Sequence, residues 1–316
     1  MSAAIPTRGR RCRWSDLSAD VRSTVETRLA ASIVGARDQT GGFSPGLAAI
    51  LELHDGSRVF VKGASPQQNP DTPRIYRREA QLAPHLPRHP SLPRFLWAID
   101  QGHDGWVLLA FEAIEGREPD LPWQDHDIER VLAAMEDLSS ACTPATVPAR
   151  SASSVFPGVV GGWGLIEPSA PASLDDWSRQ YLEQLISLER QSSRAVSGET
   201  LLHLDIRADN ILLTEDSVVF VDWPDAAVGE AWVDLLVWAP SLRVQGGPDP
   251  ETLLRRYPPA RKAAPKDVTA VVCAIAGYFT QRSLLPPPPG LPTLRAFQAV
   301  QAEVTRAWLA QRTGWD

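Results

Sequence analysis

The apolar residues change period once along the chain, and that change restricts the fold more than any other feature. Ahead of about residue 112 they read as strands: the runs 46–53 and 58–62 flank His54-Asp55-Gly56-Ser57, and an Asp-Gly step between two apolar runs predicts a β-hairpin. A Pro-rich polar loop at 66–73 leads into a helix that runs to about His85, with Thr72 as its N-cap and Pro73 as its first residue. Residues 107–111 read as a short buried strand, and Gly116 beyond it suits a hinge. After the hinge the spacing turns helical over 128–140, 174–190, 268–279 and 293–311, with an Ala/Ser/Pro/Gly-rich stretch at 143–173 that reads as loop or ordered insert. Short strands at 211–213 and 218–221 interrupt that series. Strands followed by helices predict an α+β chain, with a sheet lobe over 1–112 carrying one helix and a larger, mainly helical lobe over 113–316.

Composition narrows the function. A 43% hydrophobic share over 316 residues supports a packed core. The net charge of -7 supplies no basic footprint for nucleic acid. Cys12, Cys142 and Cys273 are odd in number and far apart, so neither a disulfide framework nor a zinc site is indicated, and a reducing, cytoplasmic location is expected. Arg8, Arg10, Arg11 and Arg13 run straight into Trp14-Ser15-Asp16 without an apolar stretch, which does not read as a secretory signal. The apolar run 268–279 is too short to cross a bilayer, so no membrane partner is expected.

Chemistry concentrates in His203-Leu204-Asp205-Ile206-Arg207-Ala208-Asp209-Asn210 and in Asp222. Asn210 stands just before one short strand and Asp222 closes the next, so an antiparallel hairpin makes the two neighbours. Two oxygen donors at one point, with the Asp205 carboxylate nearby, meet the needs of Mg and a triphosphate: hard ligands for the metal and a base for an attacking hydroxyl. H-x-D-x-x-x-x-N with a following strand-end Asp is the kinase signature. Upstream, Phe60 and Lys62 share a strand face, and Ile75, Glu79, Leu82 and Leu86 recur at helical spacing, which places a carboxylate on the buried stripe with Lys62 as its available cation. The glycine-rich segment 40–46 precedes the first strand of the hairpin, where its backbone N–H groups could cover phosphates. No Gly-Lys-Ser/Thr follows, so it is not a Walker loop.

Together these residues resemble the aminoglycoside phosphotransferase family, small-molecule kinases with a two-lobed protein-kinase-like fold. The likeness spans about residues 40–310 and is strongest over 201–234. It implies Asp205 as catalytic base, Asn210 and Asp222 as Mg ligands, Lys62 on the phosphates of ATP or GTP, and Glu79 as its orienter. It further implies Phe43 and Ser44 in the nucleotide-covering loop, and backbone contacts to the base from the linker that includes Glu112 and Ile114. Asp234 would brace the catalytic loop through backbone N–H groups, and His203 would pack and hydrogen-bond there. The implied acceptor is a hydroxyl of a small molecule such as an aminoglycoside, an amino sugar or a related alcohol, and antibiotic resistance is one role such an enzyme fills. The alternative is a nucleotide-binding scaffold without turnover.

Leu204 departs from the Gly common in the family, and would be strained if its φ were positive. Trp223-Pro224 replaces Phe-Gly, and no Ala-Pro-Glu follows, which argues against a phosphorylated activation loop. Glu115, Glu118, Asp120, Asp125, Asp127, Glu129 and Glu136 crowd the region after the hinge, either as a solvated face or as a surface for a cationic acceptor. Residues 241–316 lean basic, with 10 Lys/Arg against 5 Asp/Glu. Asp225 offers either an acceptor contact or a surface role, and Trp163 and Trp177 either core packing or a sugar-stacking face. The sequence sets no oligomeric state.

Overall fold

The computed structural model describes residues 11–39, 41–42, 44–156, 162–166 and 173–316. Its N-terminal part is a six-stranded sheet built from β1 (Arg11–Cys12), β2 (Ile33–Asp38), β3 (Gly46–Leu53), β4 (Arg58–Ala64), β5 (Phe95–Asp100) and β6 (Val107–Glu112). The order is β1-β3-β4-β6-β5, with β2 also on β3; only the β1–β3 pair is parallel. The Asp-Gly hairpin forms as the sequence predicts: Gly56 takes φ 82° in the turn and Leu53 N donates to Ser57 O.

Side-chain alternation sends one set of apolar residues to each face of this sheet. Leu47, Ala49, Leu51, Val59, Val61, Leu108 and Ala110 meet Val21 and Val25 of α1 (Ala19–Leu29). Ala64, Val107, Leu109 and Phe111 meet Tyr76 of α2 (Thr72–Leu82) on the other face, with Phe60 against them. The lobe therefore carries two α-helices where the sequence predicts one. α1 buries only Val21 and Val25, too few apolar positions to mark a stripe. α2 also starts differently. Thr72 is inside the helix, and Asn69 Oδ1 accepts from Asp71 N (2.9 Å), Thr72 N (3.0 Å) and Thr72 Oγ1 (3.1 Å).

The remainder is mainly helical: α3 (Asp125–Ala141), α4 (Ala152–Val155), α5 (Trp163–Ile166), α6 (Asp176–Gln180), α7 (Leu182–Glu189), α8 (Ser192–Ala195), α9 (Val233–Val244), α10 (Pro250–Arg256), α11 (Pro258–Arg261), α12 (Pro265–Ser283) and α13 (Leu294–Thr313). α12 buries ten residues and packs along α13, which makes it the central element of the large core. The helix expected over 174–190 breaks at Tyr181, whose φ/ψ of -105°/16° leave the helical region and whose ring stacks on Trp315 at 5.0 Å. Part of the 143–173 stretch is ordered: β7 (Arg150–Ser151) pairs with β11 (Ala227–Gly229), which also pairs with β8 (Thr200–Leu202). The hairpin of β9 (Ile211–Leu213) and β10 (Val218–Phe220) stands beside the sheet lobe, and Phe220 N donates to Ser91 O at 3.0 Å. Among the described residues, no helix is long and apolar enough to cross a membrane.

Candidate active site

Lys62 on β4 shares the face of Phe60 and so enters the space between sheet and α2, where it is buried. Its Nζ lies 2.5 Å from Glu79 Oε2 and 2.6 Å from Asp222 Oδ1. The rings of Tyr76 and Phe111 flank it at 5.2 and 5.6 Å. Burial alone would lower the Lys62 pKa, but the Asp222 and Glu79 carboxylates outweigh it and hold the ammonium above its ordinary range. Burial pushes the Glu79 carboxyl up against the pull of Lys62. Its second oxygen accepts from Trp223 N at 3.2 Å, so one side chain ties β4, α2 and the segment after β10 together. The buried stripe of α2 runs through Tyr76, Glu79 and Leu82, with Ile75 only partly buried, a shift of one position from the sequence expectation.

The β9–β10 hairpin makes the pairing foreseen for the metal ligands. Val221 N donates to Asn210 O at 3.0 Å, which sets Asn210 beside the segment leading to Asp222. Asn210 Nδ2 donates to Asp205 O (2.8 Å) and Asp205 Oδ2 (3.1 Å), so its amide nitrogen steers the catalytic-loop carboxylate and Oδ1 is the atom left for a cation. Asp222 has φ 70°, and Lys62 overcomes the effect of burial to hold its pKa below the usual carboxylate value. Burial raises Asp205 to about 7 in spite of Arg207. Arg207 Nη1 sits 2.5 Å from Asp205 Oδ1, while its Nε and Nη2 hold Asp209 at 3.0 and 3.1 Å. The sequence reading gave Arg207 no role. Its place two residues after Asp205 was the available signal, but only the loop's backbone turn brings the two charges together.

The loop is braced from both sides. Asp234 on α9 accepts from His203 N and Leu204 N, each at 2.8 Å, and burial pushes this carboxyl up to about 6. Leu204 adopts φ 61°, so a strained leucine stands where Gly is common, its N–H held by Asp234 Oδ1. His203 Nδ1 accepts from Asp205 N at 3.2 Å, which makes Nε2 the protonated nitrogen facing Val221 O at 2.9 Å. Burial lowers this imidazole to about 4, so it is neutral and structural.

The nucleotide-covering segment is described in part, and Phe43 lies outside the described residues. Ser44 is half-buried two residues before β3. Arg11 Nε and Nη2 donate to Gly41 O at 3.2 and 2.6 Å and tie the segment down. Gly46 has φ 133°, and a Cβ there would lie 2.3 Å from Gly63 O, so the strand entry requires glycine. In the linker, Glu112 N is committed to Arg94 O at 2.9 Å and its carboxylate to Arg94 Nε at 2.9 Å. Ile114 N, like Ala113 N and Glu115 N, makes no backbone hydrogen bond among the described residues.

The other candidates are used structurally. Trp163 is fully buried with Nε1 on Cys273 O at 2.9 Å, and Trp177 packs with Tyr181 and Trp315. Asp225 pairs with Arg78 at 2.7 Å. Much of the acidic run is met by protein cations: Glu115 by Arg58, buried Asp127 by Arg117, and Asp125 and Glu129 by Arg256.

No group of three or more His, Cys, Asp or Glu side chains among the described residues could hold a metal by itself. Asp222 and Asn210 still fit Mg, which takes few protein oxygens and completes its shell with phosphate and water. A sheet lobe whose buried lysine faces the carboxylates and amide of a mainly helical lobe is the arrangement of a kinase-like phosphotransferase. The sequence pattern of the phosphotransferase enzyme family (APH) matches residues 48–265. The chain belongs to this family. A search of curated proteins returned no match.

Solved structures share the fold at low identity. An aminoglycoside phosphotransferase, APH(4)-Ia, in ternary complex with ADP and hygromycin B, is 12% identical with a TM-score of 0.60, covering 93% of this chain and 99% of that one. A choline/ethanolamine kinase family protein from Mesorhizobium loti is 17% identical with a TM-score of 0.60, covering 92% and 94%. The amicoumacin kinase hAmiN, in complex with AMP-PNP, Ca2+ and Ami, is 12% identical with a TM-score of 0.55, covering 91% and 94%.

Proposed function

We propose that this chain is a cytoplasmic kinase that transfers the γ-phosphoryl group of ATP, or of GTP, to a hydroxyl of a small molecule. One observation carries the reading: Lys62 from the sheet lobe is held 2.5 Å from Glu79 and 2.6 Å from Asp222, beside a loop on which Asn210 orients Asp205. The similar structures with bound ADP, AMP-PNP and Ca2+ support a nucleotide and a divalent ion in this cleft. The lobe boundary falls at 112/113, where β6 ends and Ile114 offers its N–H to the base.

In this reading Lys62 contacts the phosphates, Glu79 orients it, and Ser44 and Phe43 belong to the covering loop. Asn210 and Asp222 would hold Mg, which would supply neutralising charge for the phosphates. Asp205 accepts the proton of the acceptor hydroxyl as its oxygen bonds to the γ-phosphorus. The bond to the β,γ-bridging oxygen breaks, and its electron pair leaves with the nucleoside diphosphate. Asn210 Nδ2 and Arg207 Nη1 fix the orientation of the base before substrate arrives. Asp205→Asn removes the proton acceptor and keeps the shape, so acceptor-dependent ADP release falls by roughly 10²–10⁴-fold. Equal rates in the two proteins would remove Asp205 from the mechanism. Tight Mg-ATP binding without product from any acceptor would identify a scaffold instead.

A further inference from the structure

Two arginines of the helical lobe stand close together with no carboxylate to meet them among the described residues. Arg282, in the last turn of α12, has its guanidinium 5.7 Å from the Tyr278 ring and makes no hydrogen bond or ion pair among the described residues. Arg295, at the start of α13, is held by neutral acceptors alone: Nε by Pro286 O at 3.0 Å and Nη1 by Gln298 Oε1 at 2.7 Å. Both residues are half-buried, and burial together with the neighbouring Arg282 charge holds Arg295 below its ordinary range. Like charges brought together and partly stripped of water raise each other's energy, and an anion placed at both relieves it.

The pair borders the cavity beside Asp205. Tyr278 and Gln298, the side chains that the two arginines meet, line this cavity of ≈ 220 Å³ together with Leu204 and Phe297. Burial raises the Tyr278 hydroxyl against the pull of Arg282, and Asp205 and Asp225 push it the same way, so one side chain lies within electrostatic reach of the arginines and of the catalytic loop. The cavity's own carboxylates are spent: Asp205 faces Arg207 at 2.5 Å and Asp225 faces Arg78 at 2.7 Å. A cationic acceptor would find no free carboxylate here, whereas a carboxylate or phosphate finds two guanidinium forks, each able to donate in parallel to a pair of oxygens. We propose that the acceptor carries an anionic group, a carboxylate or a phosphate monoester, and that Arg282 and Arg295 bind this group while the hydroxyl of the same molecule reaches Asp205. The proposal rests on the phosphotransfer reading above and adds to it the charge of the acceptor. The hydroxyl at Asp205 becomes the phosphate ester, and the nucleoside diphosphate and one proton are released.

The test sets anionic alcohols beside neutral ones of the same shape: γ-hydroxybutyrate, ε-hydroxycaproate and p-hydroxymethylbenzoate each with its primary amide, and α-glycerophosphate with glycerol. Wild type, Arg282→Gln and Arg295→Gln are incubated with Mg-ATP, and ADP release and phosphoryl mass gain are followed. Calorimetric binding of Mg-ADP checks that each variant is folded. In at least one pair the anion is expected to be phosphorylated with a KM below that of its neutral partner by roughly tenfold or more, the difference made by a hydrogen bond to a charged group. Either substitution should raise that KM toward the neutral value. A preference confined to the acids identifies a carboxylate as the anionic group, and one confined to glycerophosphate identifies a phosphate. If the wild type binds Mg-ATP and prefers no anion over its neutral partner, the anionic acceptor is overturned and the kinase reading is left intact. A preference that survives both substitutions overturns the role of the arginines. Absence of both nucleotide binding and turnover takes down the kinase reading and this one with it.

Discussion

Leu204 is where a side-chain choice and a backbone demand conflict. At φ 61° its Cβ crowds the following carbonyl, which costs an L residue roughly 1–2 kcal/mol. Asp234 enforces the conformation by accepting from the N–H groups of both His203 and Leu204 at 2.8 Å. The side chain is not idle, because it packs against the large core and lines the cavity beside Asp205. Replacement by Ala loses that packing and keeps the strain; replacement by Gly loses the same packing and relieves it. Leu204→Gly is therefore expected to be more stable than Leu204→Ala by about 1 kcal/mol, the reverse of the order in a helix or strand, where Gly is the worse residue by roughly 0.5–1 kcal/mol. Urea midpoints at a common m-value measure the difference. A Gly variant less stable than the Ala variant would mean the loop leaves the left-handed conformation once the leucine is gone.

At the scale of elements, α2 and the β9–β10 hairpin converge on Lys62 from opposite sides, but their carboxylates act differently. In the proposed mechanism Asp222 meets the metal directly, while Glu79 touches only Lys62 and Trp223 N. Loss of Asp222 should therefore lower turnover further than loss of Glu79, by about tenfold or more, as expected when a direct electrostatic contact to the transferring group is removed. The comparison is ADP release at saturating Mg for Asp222→Ala and Glu79→Ala, and near-native turnover in Asp222→Ala would refute the metal assignment. The Lys62–Glu79 pair and the approach of Asn210 to Asp222 were legible in the sequence because each follows from a local rule: alternation aims Lys62, helical spacing buries Glu79, and an antiparallel hairpin joins Asn210 to the segment before Asp222. What stayed hidden lacks such a rule. α1 shows two buried valines and no stripe, and β2 alternates in burial while largely exposed. The acidic run could not be resolved from sequence, since only Arg117 of the arginines that meet it stands within it, while the others stand at 58 and 256, far from it along the chain.

Across the whole molecule, the polar contacts between the lobes among the described residues include Asn69 to Pro289 O at 3.1 Å, Arg78 to Asp225, Arg58 to Glu115, His89 to Asp137, Phe220 N to Ser91 O, and the trio of Lys62, Glu79 and Asp222. The trio joins a buried ammonium and a buried carboxylate of the sheet lobe to the half-buried Asp222 of the other. A divalent ion approaching Asp222 meets the ammonium 2.6 Å away, and that repulsion opposes metal binding until phosphate charge arrives. Mg without nucleotide should consequently leave the melting temperature of the wild type nearly unchanged. In Lys62→Gln the buried Glu79 and the half-buried Asp222 lose their cation, which is expected to cost about 3–5 kcal/mol. Mg can then substitute for the missing charge beside Asn210. The variant should melt lower than wild type and regain part of the loss when Mg is added without nucleotide, by the linkage between binding and stability. Thermal melts of both proteins with and without Mg, at matched ionic strength, read this directly. An identical Mg response in the two would show that Lys62 does not guard the metal site, and the interlobe charge would then be structural alone.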